Sequence, residues 1–161
     1  MSLKEFKFSF EEYADDKNTD QQDLELLNKA RGVTKEAYAP YSKFFVGAAA
    51  LLSNKKIITA TNQENASFPA GICAERVLLS AVASQYPNTS INAIAISYNN
   101  KNGSSNHPVS PCGICRQSLI EFEKRFNQPI KIILAGQTGK IIIIKTAADL
   151  LPLSFNGNDL L

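Results

Sequence analysis

Residues 91–135 read INAIAISYNNKNGSSNHPVSPCGICRQSLIEFEKRFNQPIKIILA, and this stretch decides the fold class. Its first eight residues form a short apolar run of the kind found in buried strands. The polar, Gly- and Ser-containing segment 99–106 follows as a loop. From 112 to 126, Cys115, Leu119, Phe122 and Phe126 recur at helical spacing and share one helix face. Residues 130–135 are again a short apolar run. Strand, helix, strand in that order is the unit that links two parallel strands through a right-handed crossover.

Working outward, Leu26, Ala30, Val33 and Ala37 fall at i, i+4, i+7 and i+11, which predicts an amphipathic helix over 23–39, ended by Pro40. Two apolar runs, 44–52 and 56–61, are split by Ser53-Asn54-Lys55, a hairpin signal. Residues 72–84 read as a helix stopped before Pro87, and 140–146 as a strand after the Gly136-Gln137-Thr138-Gly139 turn. A short helix and an irregular end are expected over 147–155. The alternation of polar and aromatic residues over 4–10 suggests a short strand in an arm lying on the body, and 15–22 is polar enough for a loop. The expected organisation is an N-terminal arm, 1–22, and a single α/β domain, 23–161, with a mixed sheet covered by helices.

Composition narrows the function classes. The chain has 161 residues, 44% hydrophobic and 20% charged, and its 17 Lys+Arg against 15 Asp+Glu give a net charge of +2. No dense basic run is present, which argues against a surface built to grip nucleic acid. No stretch is apolar enough to span a bilayer, and the first residues, MSLKEFKFSF, lack the pattern of a secretory signal. Three cysteines cannot all be paired within one chain, and reduced thiols fit a cytoplasmic protein better.

Those cysteines stand in Cys73-Ala74-Glu75-Arg76 and Pro111-Cys112-Gly113-Ile114-Cys115. A redox dithiol would leave Cys73 without a role, whereas three thiolates on zinc leave one coordination position for water. Both motifs fall at predicted helix starts, where unpaired N–H groups and the helix dipole favour the thiolate. Glu75 is the group able to move that water's protons, so the four residues together describe a zinc-activated hydrolytic deaminase. Arg76, one turn after Cys73, offsets the charge of a three-thiolate zinc by donating to a thiolate. The single histidine, His107, could close the site as a fourth ligand and make the zinc structural, but beside Pro108 in a polar loop it reads as solvent-facing.

The two motifs, extended by Arg116-Gln117, resemble the zinc-dependent cytidine deaminases of the homotetrameric, three-cysteine type. The resemblance runs from about Tyr38 onward and includes Phe44-Phe45-Val46-Gly47-Ala48-Ala49, Asn62-Gln63-Glu64-Asn65-Ala66, Gly71-Ile72 and Leu150-Leu151-Pro152. It implies a three-layer α/β/α sandwich with a five-stranded mixed sheet. It implies zinc, one per subunit, on Cys73, Cys112 and Cys115, with Glu75 as proton shuttle. By the same resemblance Asn62 and Glu64 meet the ribose hydroxyl, Phe44 packs on the pyrimidine, and the Ala74 N–H holds the base carbonyl. Phe155 matches a tail aromatic that enters a neighbouring subunit's site in a homotetramer. Three places depart from the family pattern: Phe45 replaces a proline, Phe68-Pro69 replaces Tyr-Pro, and the loop 99–108 is longer. The implied reaction is deamination of cytidine and 2′-deoxycytidine in pyrimidine salvage, on a small-molecule nucleoside and without a nucleic-acid or membrane partner. The alternatives are a deaminase of a nucleoside antibiotic such as blasticidin S, a nucleic-acid cytosine deaminase, and an inert zinc fold that serves as an interaction module.

Overall fold

The computed structural model describes residues 1–160. Six strands, β1 (Glu11–Tyr13), β2 (Phe44–Leu52), β3 (Ile57–Thr61), β4 (Ile91–Asn100), β5 (Lys131–Ala135) and β6 (Ile141–Ile144), form one sheet in the order β1-β6-β5-β4-β2-β3. Three helices, α1 (Gln21–Val33), α2 (Ala74–Gln85) and α3 (Gly113–Phe126), cover it. The β4-α3-β5 unit makes the one parallel pairing, with Ala93 opposite Lys131 and Ile96 opposite Leu134. All other neighbours are antiparallel. None of the described helices is long and apolar enough to cross a membrane.

The sheet is buried on both faces, and strand alternation divides the core into two. Ala48, Ala50, Leu52, Ile94, Ile96, Ile132 and Leu134 face α2 and α3, where Leu78, Val82 and Leu119 meet them. Ala49, Ala93, Ala95, Ile133 and Ile141 face α1, against Leu26, Leu27 and Ala30. The α1 face is lined with alanines, so that helix lies close. A Cβ on Gly47 would sit 2.2 Å from the Ala30 carbonyl oxygen, which is why glycine interrupts the apolar run of β2.

The sheet has six strands where five were expected. The sixth is β1, which pairs with β6 through Glu11–Ile143 and Tyr13–Ile141. The strand expected at 4–10 lies instead at 11–13, and residues 4–10 carry no regular structure. Only Tyr13 of β1 packs on the core; Glu12 faces out and pairs with Lys140 at 2.8 Å. An edge strand of this kind gives no apolar period to read. Helix α1 also starts earlier, at Gln21, because the Asp20 carboxylate accepts from the Gln22 and Asp23 N–H groups. It ends earlier as well: Thr34–Glu36 tightens into a 3-10 turn, with the Thr34 hydroxyl on the Arg31 carbonyl at 2.7 Å. At the far end of α3, the buried Glu123 carboxylate accepts from the N–H groups of Ile130, Ala147 and Ala148. It thereby ties the end of that helix to the entry of β5 and to the 3-10 turn Ala147–Leu150.

Candidate active site

Both cysteine motifs sit where a helix begins. Cys73 immediately precedes α2 and Cys112 precedes α3, each with extended backbone and no side-chain hydrogen bond that caps its helix. Ser, Asp or Asn usually occupies that position because its oxygen satisfies a first-turn N–H. A thiol leaves those N–H groups open, and their positive end favours a thiolate. Cys115 follows one turn into α3 and is buried.

Because α2 and α3 pack on the same sheet face, the three sulfurs converge. Cys73 Sγ lies 3.8 Å from Cys112 Sγ, which lies 3.3 Å from Cys115 Sγ. Three thiolates around a tetrahedral zinc with bonds of about 2.3 Å stand about 3.8 Å apart. The donor set therefore fits one zinc ion, with a fourth position left over. It is the only such cluster of ligating side chains among the described residues. His107 is exposed, lies outside the cluster and faces Tyr98 instead.

Protons are shared unevenly within the group. A hydrogen bond from Cys115 is the main cause that lowers the Cys73 thiol to about 6; burial opposes it, while Cys112 and the charge of Arg76 reinforce it. The Cys115 thiol moves far upward, because it gives its proton to that bond and because it is buried beside Glu75. Glu75, 5% exposed, has its carboxyl raised mainly by burial, with its own N–H opposing and the negative charge of Cys73 adding.

Cys73 and Glu75 open on a cavity of about 590 Å³ whose other walls include Phe44, Val46, Asn62, Glu64 and Ile96. A second hollow, of about 440 Å³, adjoins it at Ser42, Glu64 and Gly71 and runs out past Tyr41 and Phe68. Paired backbone bonds of 2.9 Å between Gln63 and Ile72 fix the Asn62–Glu64 segment to the residue before Cys73.

Asn62 and Glu64 are already engaged. Asn62 Oδ1 accepts from the Val46 N–H at 2.7 Å and its Nδ2 donates to the Phe44 carbonyl at 3.0 Å. One amide hydrogen and one lone pair remain for a ligand. Glu64 accepts from the Tyr41 N–H at 2.8 Å and the Ser42 N–H at 3.3 Å. The Ser42 hydroxyl is the main cause that holds its carboxyl below the ordinary range; desolvation opposes it, and the two amides and the charge of Lys43 reinforce it. Phe44 lines the cavity with its ring stacked on Tyr98, centroids 4.7 Å apart.

Two further residues of the expected set do not line this chain's cavity. Arg76 is half-buried and lines a groove between α2 and α3, with no hydrogen bond to a thiol among the described residues. Phe155, 58% exposed, lines the same groove, tethered by Gln117 Nε2 to its carbonyl at 2.9 Å, and does not reach its own chain's cavity. The residues that sequence reasoning missed are Tyr41, Ser42 and Tyr98. Tyr41 acts through its backbone N–H, as Ser42 does in part, and a backbone group carries no signature in the sequence. Tyr98 looked like any apolar strand residue.

Comparison with known proteins agrees with this geometry. Residues 20–127 match the family described as the cytidine and deoxycytidylate deaminase zinc-binding region. A cytidine deaminase of Halalkalibacterium halodurans is 36% identical over 135 residues, covering 84% of this chain and 95% of the relative. The crystal structure of a cytidine deaminase from Burkholderia pseudomallei superposes with a TM-score of 0.71 at 35% identity, over 85% of this chain and 100% of that one. A blasticidin-S deaminase of Bacillus cereus is 30% identical over 88% of this chain and 97% of the relative. With the family match running from the start of α1 through both cysteine motifs to the end of α3, the chain belongs to the zinc-binding cytidine and deoxycytidylate deaminases.

Proposed function

We propose that this chain hydrolytically deaminates cytidine and 2′-deoxycytidine, releasing ammonia and leaving uridine or 2′-deoxyuridine. The carrying observation is the buried Glu75 beside three converging thiols, at the floor of a nucleoside-sized cavity. Cys73, Cys112 and Cys115 would hold zinc, which would supply the Lewis acidity that makes a water nucleophilic near neutral pH. Glu75 takes that water's proton and passes it to the ring nitrogen next to the amino-bearing carbon. Glu75 then takes the second proton from the attacking oxygen and gives it to the amine, which leaves as ammonia while that oxygen becomes the carbonyl. A carboxyl raised by burial suits a group that must both accept and return protons.

The other residues bind and orient. The ring of Phe44 takes the pyrimidine face, and the first-turn N–H of Ala74 meets the base carbonyl, since that helix position has no intrahelical partner. The remaining amide hydrogen of Asn62 and the remaining lone pairs of Glu64 take the sugar hydroxyl. Arg76 moderates the negative charge of the thiolates through space. In a homotetramer with shared sites, Phe155 enters a neighbouring subunit's cavity. The place of this chemistry is cytoplasmic pyrimidine salvage.

The test is turnover of cytidine by zinc-loaded protein, followed by the ultraviolet change and by ammonia release, beside Glu75→Ala. The expected result is loss of about a thousandfold in kcat with zinc and fold retained. Zinc-replete protein inactive on cytidine, or Glu75→Ala as active as the parent, would overturn the reading. The similarity to a blasticidin-S deaminase makes that antibiotic the competing substrate to run in parallel; preference for it over cytidine would replace the nucleoside assignment.

A further inference from the structure

We infer that the loop after β4, residues 101–107, buttresses the nucleoside cleft, and that His107 and Tyr98 are positioning residues for the ring of Phe44. The inference rests on the proposed nucleoside function and adds residues that no part of that reading uses.

The observations begin with Tyr98. It is 1% exposed and stands next to Phe44 on the cavity side of the sheet, because Val46 pairs with Tyr98 and Phe44 with Asn100 across β2 and β4. The two rings are stacked, with planes 14° apart. Phe44 is thus held from behind by an aromatic plate. A buried phenol needs a polar partner. Among the described residues the only one is His107, whose Nδ1 and Nε2 lie 3.3 and 3.4 Å from the Tyr98 hydroxyl. Its ring meets that of Tyr98 edge-on at 5.9 Å.

His107 arrives there because the loop is clamped along its length. Ser105 Oγ accepts from the Asn100 N–H at 2.8 Å, and the Ser105 carbonyl accepts from the Gln137 N–H at 2.7 Å. The β5–β6 turn presses against the loop so closely that a Cβ on Gly139, at φ +83°, would lie 2.1 Å from the Asn106 carbonyl oxygen. Gln137 Nε2 also donates to the Tyr98 carbonyl at 3.1 Å. The near end of the same loop reaches the sugar side: the Lys101 N–H donates to the Lys43 carbonyl at 3.0 Å and Asn102 Nδ2 to the Ser42 carbonyl at 3.2 Å. One loop therefore backs the aromatic wall with His107 and steadies the Ser42–Lys43 turn, on which Glu64 also acts, with Lys101 and Asn102. A loosened Phe44 weakens binding of the base in the ground state and transition state alike, which raises KM and leaves kcat nearly unchanged.

The experiment compares His107→Ala, His107→Gln, Tyr98→Phe and the double variant Tyr98→Phe/His107→Ala, each zinc-loaded. We expect His107→Ala and Tyr98→Phe each to raise KM for cytidine about fivefold, the size of one lost hydrogen bond, with kcat within about twofold. The double variant should be no worse than either single one, and His107→Gln, which keeps a donor and an acceptor, should recover most of the loss. In a Phe44→Leu background His107→Ala should have no further effect on KM. Calorimetric binding of uridine gives the same comparison without turnover. KM and uridine affinity unchanged in His107→Ala, or an effect that persists undiminished in Phe44→Leu, would overturn the inference. Failure of the functional reading itself shows separately, as an unaltered protein that neither turns over cytidine nor binds uridine.

Discussion

The cleft has two ends built on opposite principles. At the thiol end, each functional side chain stands at or within the first turn of a helix: Cys73 and Glu75 at α2, Cys112 and Cys115 at α3. Their spacing is set by local helical geometry, and two helices packed on one sheet face bring the pairs together. At the other end, Asn62 and Glu64 are held by bonds to the backbone of residues 41, 42, 44 and 46, about twenty positions away in the chain. The first end forgoes helix capping to free its ligands. The second uses its polar side chains as structural ties and offers a ligand only the bonding capacity left over. Substitutions at the two ends should therefore fail differently.

The sharpest break is Cys112→Ser. Zinc content should fall from one per chain to near none and turnover should become undetectable, since two thiolates and a weaker hydroxyl ligand remain. The metal-free variant should nevertheless be more stable than the metal-free parent by about 0.5–1 kcal/mol, because serine at that position caps α3. Metal analysis beside thermal denaturation in chelator checks both halves; a less stable variant would remove the claim that capping was given up. Asn62→Ala comes next and should show the reverse pattern. Zinc stays bound, while two part-buried backbone groups lose their partners, so stability falls by about 1–3 kcal/mol and KM rises. Unchanged stability would mean that Asn62 serves the ligand alone.

The smallest effect is expected at Glu64. Its folded carboxyl titrates below the ordinary value of 4.5. A depressed value stabilises the fold above the unfolded pKa, and that contribution is lost as pH falls through the folded one. The difference in melting temperature between the parent and Glu64→Gln should thus be widest above pH 4.5 and close in more acidic solution. A gap that widens with acid would reverse the sign of the argument.

The same contrast explains what could be read from the sequence. The three helices and five of the six strands were legible from helical spacing and short apolar runs, with ends displaced where a side chain such as Asp20 or Thr34 intervenes. The metal-binding cluster was legible because its pattern is local. The preoccupation of Asn62 and Glu64 with the backbone was not, because the partners are main-chain atoms of another segment. Tyr98 and His107 are nine residues apart and meet only because the β5–β6 turn folds the loop back. Phe155 was expected on the strength of resemblance alone, and within one chain it lies in the groove between α2 and α3.

The short first strand has a consequence of another kind. Residues 141–144 are four consecutive isoleucines, a run with the high β propensity and neutrality that promote fibrous self-association. In the folded chain one edge of that run is occupied by β5 and the other by Glu11–Tyr13, whose acidic side chains discourage further pairing. Lys140 and Lys145 flank the run as charged stops. Deleting residues 1–13 would uncover the outer edge, and the shortened protein should form thioflavin-positive aggregates at concentrations where the full chain stays dispersed. The three residues of β1 thus cover the outer edge of the isoleucine run.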